Sequence, residues 1–323
     1  MAGRRRKKSG GRSYAWRYRG RIVACVFVEV IIICALVIMI GWNKGVKEWF
    51  EQFEQPVLKE VDISGINSPN AILMQARGGK ILGEINGEAQ IYPASMTKIM
   101  TVILGIENFD DLDEKITLTN EMFTGLYEQD ATQAGFQPGE EVRVIDLLYG
   151  AMLPSGAECC IALADTISGS EADFAELMNK KARKLGMENT NFCDSTGLHN
   201  PDHYSTVKDI AVLMKYCIKN DTFREIVETS RHSTGVTNIH PDGITYYSTM
   251  FKNLSDPTVT GGKILGGKTG YTSEAGHCLV SFAEIEGREY IFVSAGASGA
   301  DGNTIPHIQD AVTVYNRVGA AIE

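Results

Sequence analysis

Ser95 and Lys98, three residues apart in Tyr92-Pro93-Ala94-Ser95-Met96-Thr97-Lys98, are the first pair in this chain whose types and spacing suit covalent chemistry. Pro93 ends an extended segment, so Ser95 is expected at or near a helix start. Met96 to Ile106 is apolar on nearly every face, which predicts a buried helix. A serine and a lysine three apart share one helical face. Burial disfavours an ammonium and lowers its pKa, so a neutral amine becomes accessible near neutral pH. Beside a serine hydroxyl, that amine is a general base and the hydroxyl a nucleophile for acyl transfer.

The S-x-x-K pattern alone decides little, since chance supplies about one in a chain this long. It occurs a second time at Ser205-Thr206-Val207-Lys208. There Ser205 or Thr206 is expected to cap a helix, with Lys208 solvated on its first turn. Pro154-Ser155-Gly156-Ala157 joins two predicted helices, where a serine is ordinarily a cap. Gly267-Lys268-Thr269-Gly270, followed by Tyr271-Thr272, sits just before a predicted C-terminal hairpin. Glycines at such an edge permit close backbone approach. Lys268 and Thr269 could hold a carboxylate, and neighbouring N–H groups could stabilise an oxyanion; the plain alternative is a solvated lysine in a glycine turn. Order and spacing favour the chemical reading. S-x-x-K, then Ser-Gly about sixty residues on, then Lys-Thr-Gly before a hairpin, is the motif set of penicillin-recognising serine enzymes.

The elements that must position these motifs are legible in outline. Ala71-Ile72-Leu73-Met74 and Lys80-Ile81-Leu82 flank Arg77-Gly78-Gly79, a predicted hairpin. Cys278–Ile285 and Tyr290–Ala295 flank Glu286-Gly287, a second one. Between them the pattern is mostly helical, over Lys98–Ile106, Val144–Met152, Cys159–Thr166, Glu171–Leu185 and Val207–Cys217. Ile305–Ile322 reads as a closing helix, with Ile308, Val312, Tyr315 and Val318 at helical spacing. The expected fold class is α/β in the α+β sense: one antiparallel sheet in which N- and C-terminal strands are neighbours, flanked by helices, plus a mostly helical lobe.

Residues 70–320 resemble the low-molecular-mass penicillin-binding proteins, the serine-type D-Ala-D-Ala carboxypeptidases. The resemblance rests on Pro93 to Thr101, Leu147-Leu148-Tyr149-Gly150 leading to Ser155-Gly156, and Thr196-Gly197-Leu198. Ser205-Thr206 with Asp209, and Gly267 to Thr272 with Ala275-Gly276, complete it. It implies the penicillin-recognising serine transferase fold and no cofactor or metal. It implies that Ser95 is acylated, that Lys98 is its base and that Ser155 relays a proton to the leaving amine. Lys268 and Thr269 would hold the substrate carboxylate, and the N–H groups of Ser95 and Tyr271 would form the oxyanion hole. The implied substrates are peptidoglycan stem peptides, with β-lactams as covalent inhibitors.

Two positions depart from that family. Ala157 stands where the second motif usually has Asn, and His307, three before Asp310, stands where an Arg usually reads the substrate carboxylate. Near neutral pH a histidine is uncharged or only partly charged. They favour one rival, a catalytically weak sensor of wall peptides or β-lactams. The other rival, a β-lactamase, lacks support, because no Glu-x-x-Leu-Asn stretch lies between Ser155 and Lys268.

Charge and hydropathy set the context. Residues 1–21 carry nine Lys/Arg and no acid, a basic tail expected in the cytoplasm. Ile22 to Ile40, with Glu29 as its one charge, is long enough to span about 30 Å of hydrocarbon, and residues 22–41 are expected to be an uncleaved transmembrane anchor, with a long cleaved signal as the alternative. Residues 42–69 read as a stalk and 70–323 as an extracytoplasmic catalytic domain. The anchor would take over tethering from the C-terminal β-domain and tail helix of some relatives, which are expected to be missing. Without the nine bases and Glu29, residues 42–323 hold 22 bases and 39 acids, a net −17 that excludes nucleic acid as a natural ligand. Of the seven cysteines, the five beyond the apolar segment show no zinc or disulfide spacing, and most are expected to be small buried hydrophobes.

Overall fold

The computed structural model describes residues 58–254, 256–299 and 305–322. The basic tail, the apolar segment 22–41 and residues 42–57 of the expected stalk lie outside these. Among the described residues, no helix is long and apolar enough to cross a membrane. Residues 58–69, the rest of the expected stalk, pack on the domain. Leu58, Val61 and Ile63 are buried, and the Val61 N–H donates to the Leu82 carbonyl at 2.7 Å.

The central sheet has six antiparallel strands, built from both ends of the chain. β1 (Asn70–Gln75) and β2 (Ile81–Ile85) form the N-terminal hairpin. β7 (Thr258–Val259), β8 (Gly262–Thr272), β9 (Gly276–Ile285) and β10 (Arg288–Ala297) come from the C-terminal part. The spatial order is β2-β1-β10-β9-β8-β7, with Asn70 opposite Ala295 and Gln75 opposite Tyr290. The strands are near-continuous apolar runs because both faces are covered. Alternation then divides the residues: Leu73, Leu279 and Phe292 face a cluster with the closing helix, while Ile72, Val280 and Ile291 face the helical lobe.

The helical lobe contains α1 (Lys98–Asn108), α2 (Val144–Met152), α3 (Ala157–Ser168), α4 (Glu171–Leu185), α5 (Val207–Cys217) and α6 (Asp221–Glu228). α7 (Thr249–Asn253) precedes β7, and α8 (Pro306–Ile322) closes the sheet's other face. The ends follow capping chemistry. Ser170 accepts from the Asp173 N–H at the start of α4, and Gly186 stops that helix at φ 80°. Thr206 accepts from the Asp209 N–H at the start of α5. α4 and α5 match their expected bounds. Two short strand pairs interrupt the predicted helical middle, β3 (Lys115–Thr117) with β4 (Glu141–Arg143) and β5 (Arg231–Ser233) with β6 (Thr245–Tyr247), while α6 and α7 are helices the pattern did not predict. Three-residue strands are too short to show a period-two pattern.

Candidate active site

The local backbone at Ser95, the expected nucleophile, is tighter than the expected α-helix. Ala94–Thr97 is a turn of 3-10 helix, and α1 begins only at Lys98. In a 3-10 turn, side chains three apart eclipse one another. This places Lys98 Nζ 3.0 Å from Ser95 Oγ. Ala94, just before the serine, holds φ 46°, a left-handed conformation costly for a residue with a Cβ.

Lys98 is 4% exposed, inside an apolar helix, as its sequence neighbourhood predicted. Its amine donates to the Thr196 carbonyl at 2.6 Å. Desolvation pulls its pKa below the usual lysine value, while Cys160, Asp194, Glu158 and Cys159 pull weakly upward. A neutral amine that donates one hydrogen to Thr196 keeps its lone pair for Ser95. The second S-x-x-K shows the contrast. Lys208 is 39% exposed at its side chain, pairs with Glu88 and has its pKa raised, chiefly by that carboxylate. A solvated, ion-paired ammonium has no lone pair to offer. Thr206 is the cap there, as expected.

Ser155 lies between α2 and α3 and donates from Oγ to Ser95 Oγ at 3.0 Å. The expected cap role falls instead to Gly156, which is the N-cap of α3. Ser155 sits at φ 73°, so strain of about 1–3 kcal/mol is held at the point where its hydroxyl meets the nucleophile. Ala157, in the Asn position of the second motif, is the first residue of α3 and 1% exposed.

β8 brings the third motif alongside. Its pairing with β7 covers only Gly262 and Lys263, with one further bond from the Ile264 N–H to the Pro257 carbonyl, and from Gly266 onward its strand partner is β9. Gly270 runs against the nucleophile turn: a Cβ there would lie 3.0 Å from the Ser95 nitrogen and 3.1 Å from Ala94 Cβ. Lys268 is 1% exposed, donates to the Thr269 carbonyl at 3.0 Å, and has its pKa lowered well below the usual value by burial and then by the nearby Lys98. Thr269 Oγ1 lies 2.7 Å from Thr249 Oγ1 on α7. Tyr271 is 61% exposed, opposite His277 on β9, with ring centroids 4.7 Å apart.

His307 is set further back. It is the second residue of α8, 3% exposed, and its ring stacks on His277 at 5.0 Å. Burial, and then His277, lower its pKa to about 4, so it is a neutral imidazole at physiological pH. The structure thus joins Ser95, Lys98 and Ser155 by hydrogen bonds and Gly270 by backbone contact, with His307 one ring behind His277. Sequence reasoning assigned no role to Thr196, Asp194, His203, Thr249 or His277. Thr196-Gly197 was visible as a stretch, but no spacing rule ties a carbonyl about a hundred residues away to Lys98. Among the described residues, no group of three or more His, Cys, Asp or Glu could hold a metal.

Comparison with known proteins places this geometry. A family model described as D-alanyl-D-alanine carboxypeptidase matches residues 57–299. The D-alanyl-D-alanine carboxypeptidase DacF of Bacillus subtilis is 35% identical over 233 residues, 71% of this chain and 57% of that protein. DacC of Escherichia coli is 33% identical over 262 residues, 73% of this chain and 58% of that protein. The chain therefore spans somewhat over half the length of these two relatives. The D-alanyl-D-alanine carboxypeptidase of Streptomyces sp. strain K15 is 34% identical, over 71% of this chain and 78% of that one. The crystal structure of the Streptomyces K15 DD-transpeptidase superposes with a TM-score of 0.71 at 28% identity, covering 80% of this chain and 100% of that chain. With a match that runs over three-quarters of its residues, the chain belongs to the D-alanyl-D-alanine carboxypeptidase family of serine peptidases.

Proposed function

We propose that the protein is a serine D-Ala-D-Ala carboxypeptidase that removes the terminal D-Ala from peptidoglycan stem peptides. The observation that carries this reading is the buried Lys98 amine, held between the Thr196 carbonyl at 2.6 Å and Ser95 Oγ at 3.0 Å, with its pKa lowered. Ser95 gives its proton to the amine and its oxygen attacks the carbonyl of the penultimate D-Ala. The N–H groups of Ser95 and Tyr271 receive the developing oxyanion. Ser155, bonded to Ser95 Oγ, relays the proton from Lys98 to the leaving amine of D-Ala. Water then cleaves the ester as the site is regenerated. Lys268 and Thr269 hold the terminal carboxylate, which gives the buried Lys268 an anionic partner beside the Thr269 carbonyl. β-Lactams acylate the same oxygen and leave slowly. Segment 22–41 anchors the chain in the cell membrane, with residues 1–21 in the cytoplasm and the catalytic domain outside.

Fluorescent penicillin labelling of wild type and Ser95→Ala, followed by D-Ala release from a pentapeptide, tests the reading. Label and release are expected in wild type only. Label persisting in Ser95→Ala would exclude the assigned nucleophile. One observation favours a second reading, a penicillin or wall-peptide sensor: Ala157 and a neutral, buried His307 leave the site without an amide and a cation that the family usually supplies. Label without D-Ala release would favour it, and rapid release of hydrolysed penicillin would indicate a β-lactamase.

A further inference from the structure

The loop between α4 and α5 does more than supply the Thr196 carbonyl. Asp194 Oδ1 accepts from the Thr196 N–H at 2.8 Å, the Thr196 hydroxyl at 2.7 Å and the Gly197 N–H at 2.7 Å. One carboxylate oxygen thereby fixes the peptide planes on both sides of the Thr196 Cα, the second of which contains the carbonyl that holds Lys98. The other oxygen, Oδ2, lies 3.2 Å from His203 Nδ1, a nitrogen that the Cys193 N–H also approaches at 3.2 Å. His203 is 2% exposed, and its Nε2 is 2.9 Å from Thr97 Oγ1. Thr97 is buried and immediately precedes Lys98. The contacts close a ring: Lys98, Thr196, Asp194, His203, Thr97 and, through the peptide bond, Lys98 again.

The ring is braced from both sides. Ser195 gives its hydroxyl and N–H to Glu171 on α4, and its carbonyl accepts from Thr101 on α1 at 2.6 Å. Gly197, at φ 78°, lies so close to the nucleophile turn that a Cβ would sit 1.9 Å from the Ala94 carbonyl oxygen. The loop is therefore seated directly on the Ser95–Lys98 turn. A lysine carries four rotatable bonds, and its amine serves Ser95 only if its acceptor is fixed.

We propose that Asp194 and His203 are positioning residues for Lys98, holding the Thr196 carbonyl on one side of its amine and the Thr97 hydroxyl at its helix start. The proposal rests on the acyl-transfer reading of Ser95 and Lys98. Neither residue touches substrate in it. The groups that bear on Lys98 electrostatically are Glu158, Cys159 and Cys160 on α3 and Asp194 on the loop; Lys268 on β8 is its cationic neighbour, and Glu171 on α4 bears on Asp194 in turn. Burial pushes the Asp194 carboxyl up, but the His203 contact and the Thr196 donors outweigh it and hold it at about 2; its charge raises the proton affinity of Lys98 against desolvation.

The two residues therefore give separable signatures. Asp194→Asn keeps the shape but removes the charge, and the Asn amide cannot accept three donors on one anionic oxygen. Acylation of Ser95 by fluorescent penicillin should slow about 10-fold or more. The acid limb of its pH profile should move to lower pH, because Lys98 sheds its proton more readily. His203→Gln keeps the Asp194 charge, so the rate should fall similarly without that displacement to lower pH. Thermal unfolding followed by circular dichroism shows that each variant is folded under assay. A folded Asp194→Asn with an unchanged acid limb, or a folded His203→Gln with the wild-type rate, overturns the positioning role alone. A wild type that takes no label at Ser95 overturns the acyl-transfer reading, and the positioning role falls with it.

Discussion

Two lysines in the same S-x-x-K spacing meet opposite fates, and the difference is dielectric. Lys98 loses its water and has its pKa lowered, whereas Lys208 keeps water, gains Glu88 and has its pKa raised. Pattern does not distinguish them; the apolar run after Lys98 does, and that much was readable before any coordinates. His307 shows the opposite case. Its place in the chain suggested a carboxylate reader, yet it lies buried behind His277 with a pKa of about 4. The unfolded chain takes up that proton near the ordinary histidine value of about 6.5, and the folded protein resists it until about 4. Stability therefore falls as pH drops through this window, by about 2 kcal/mol at pH 5 relative to pH 7 from this one group. His307→Phe, which keeps the stacked ring, should lose that part of the acid sensitivity. Urea midpoints at the two pH values check it, and equal slopes in wild type and variant would refute the account.

The elements around the site carry their strain where they meet. Ser155, at φ 73° in the turn between α2 and α3, holds its hydroxyl on Ser95 at the expense of backbone comfort. Ser155→Gly should relieve the left-handed strain and raise the melting temperature by a few degrees, for a gain of about 1 kcal/mol. Its acylation rate should nonetheless drop about 100-fold with loss of the proton relay. Lower stability in this variant would contradict the strain assignment. The bounds of α4 and α5 were legible because their signals are local: Ser170 and Gly186 bracket α4, and Thr206 opens α5. The two end hairpins were legible from Gly78-Gly79 and Glu286-Gly287. The short strand pairs β3–β4 and β5–β6 were not, since their three-residue strands are fixed by partners far along the chain rather than by their own pattern. The same holds at the site. Ser95, Lys98, Ser155 and Lys268 announced themselves by motif. Thr196, Asp194 and His203 act through backbone carbonyls and buried hydrogen bonds, which side-chain spacing does not encode.

At the scale of the whole molecule, the two ends of the domain are tied together. β1 pairs with β10, and Asp310 on α8 accepts from the N–H groups of Asn67 and Ser68, the Asn67 side-chain amide and the Ser68 hydroxyl, at 2.6 to 2.9 Å. Asp310 is 1% exposed, so removing its carboxylate leaves several buried donors unpaired. Asp310→Ala should cost about 3 kcal/mol or more, read as a lower urea midpoint. A change under about 1 kcal/mol would show that the entering segment is held by other contacts. The pairing of first strand with last also sets a timetable for the chain's birth. Until β10 has been synthesised, β1 has an open edge and β9 has a partner on one side only, so the platform beneath Lys268 and Gly270 is unfinished. Contacts between residues this distant in sequence form late. A fragment that ends before β10 holds every motif residue yet lacks the strand that joins β1 to β9, and the platform is complete only when that final strand slots into the middle of the sheet.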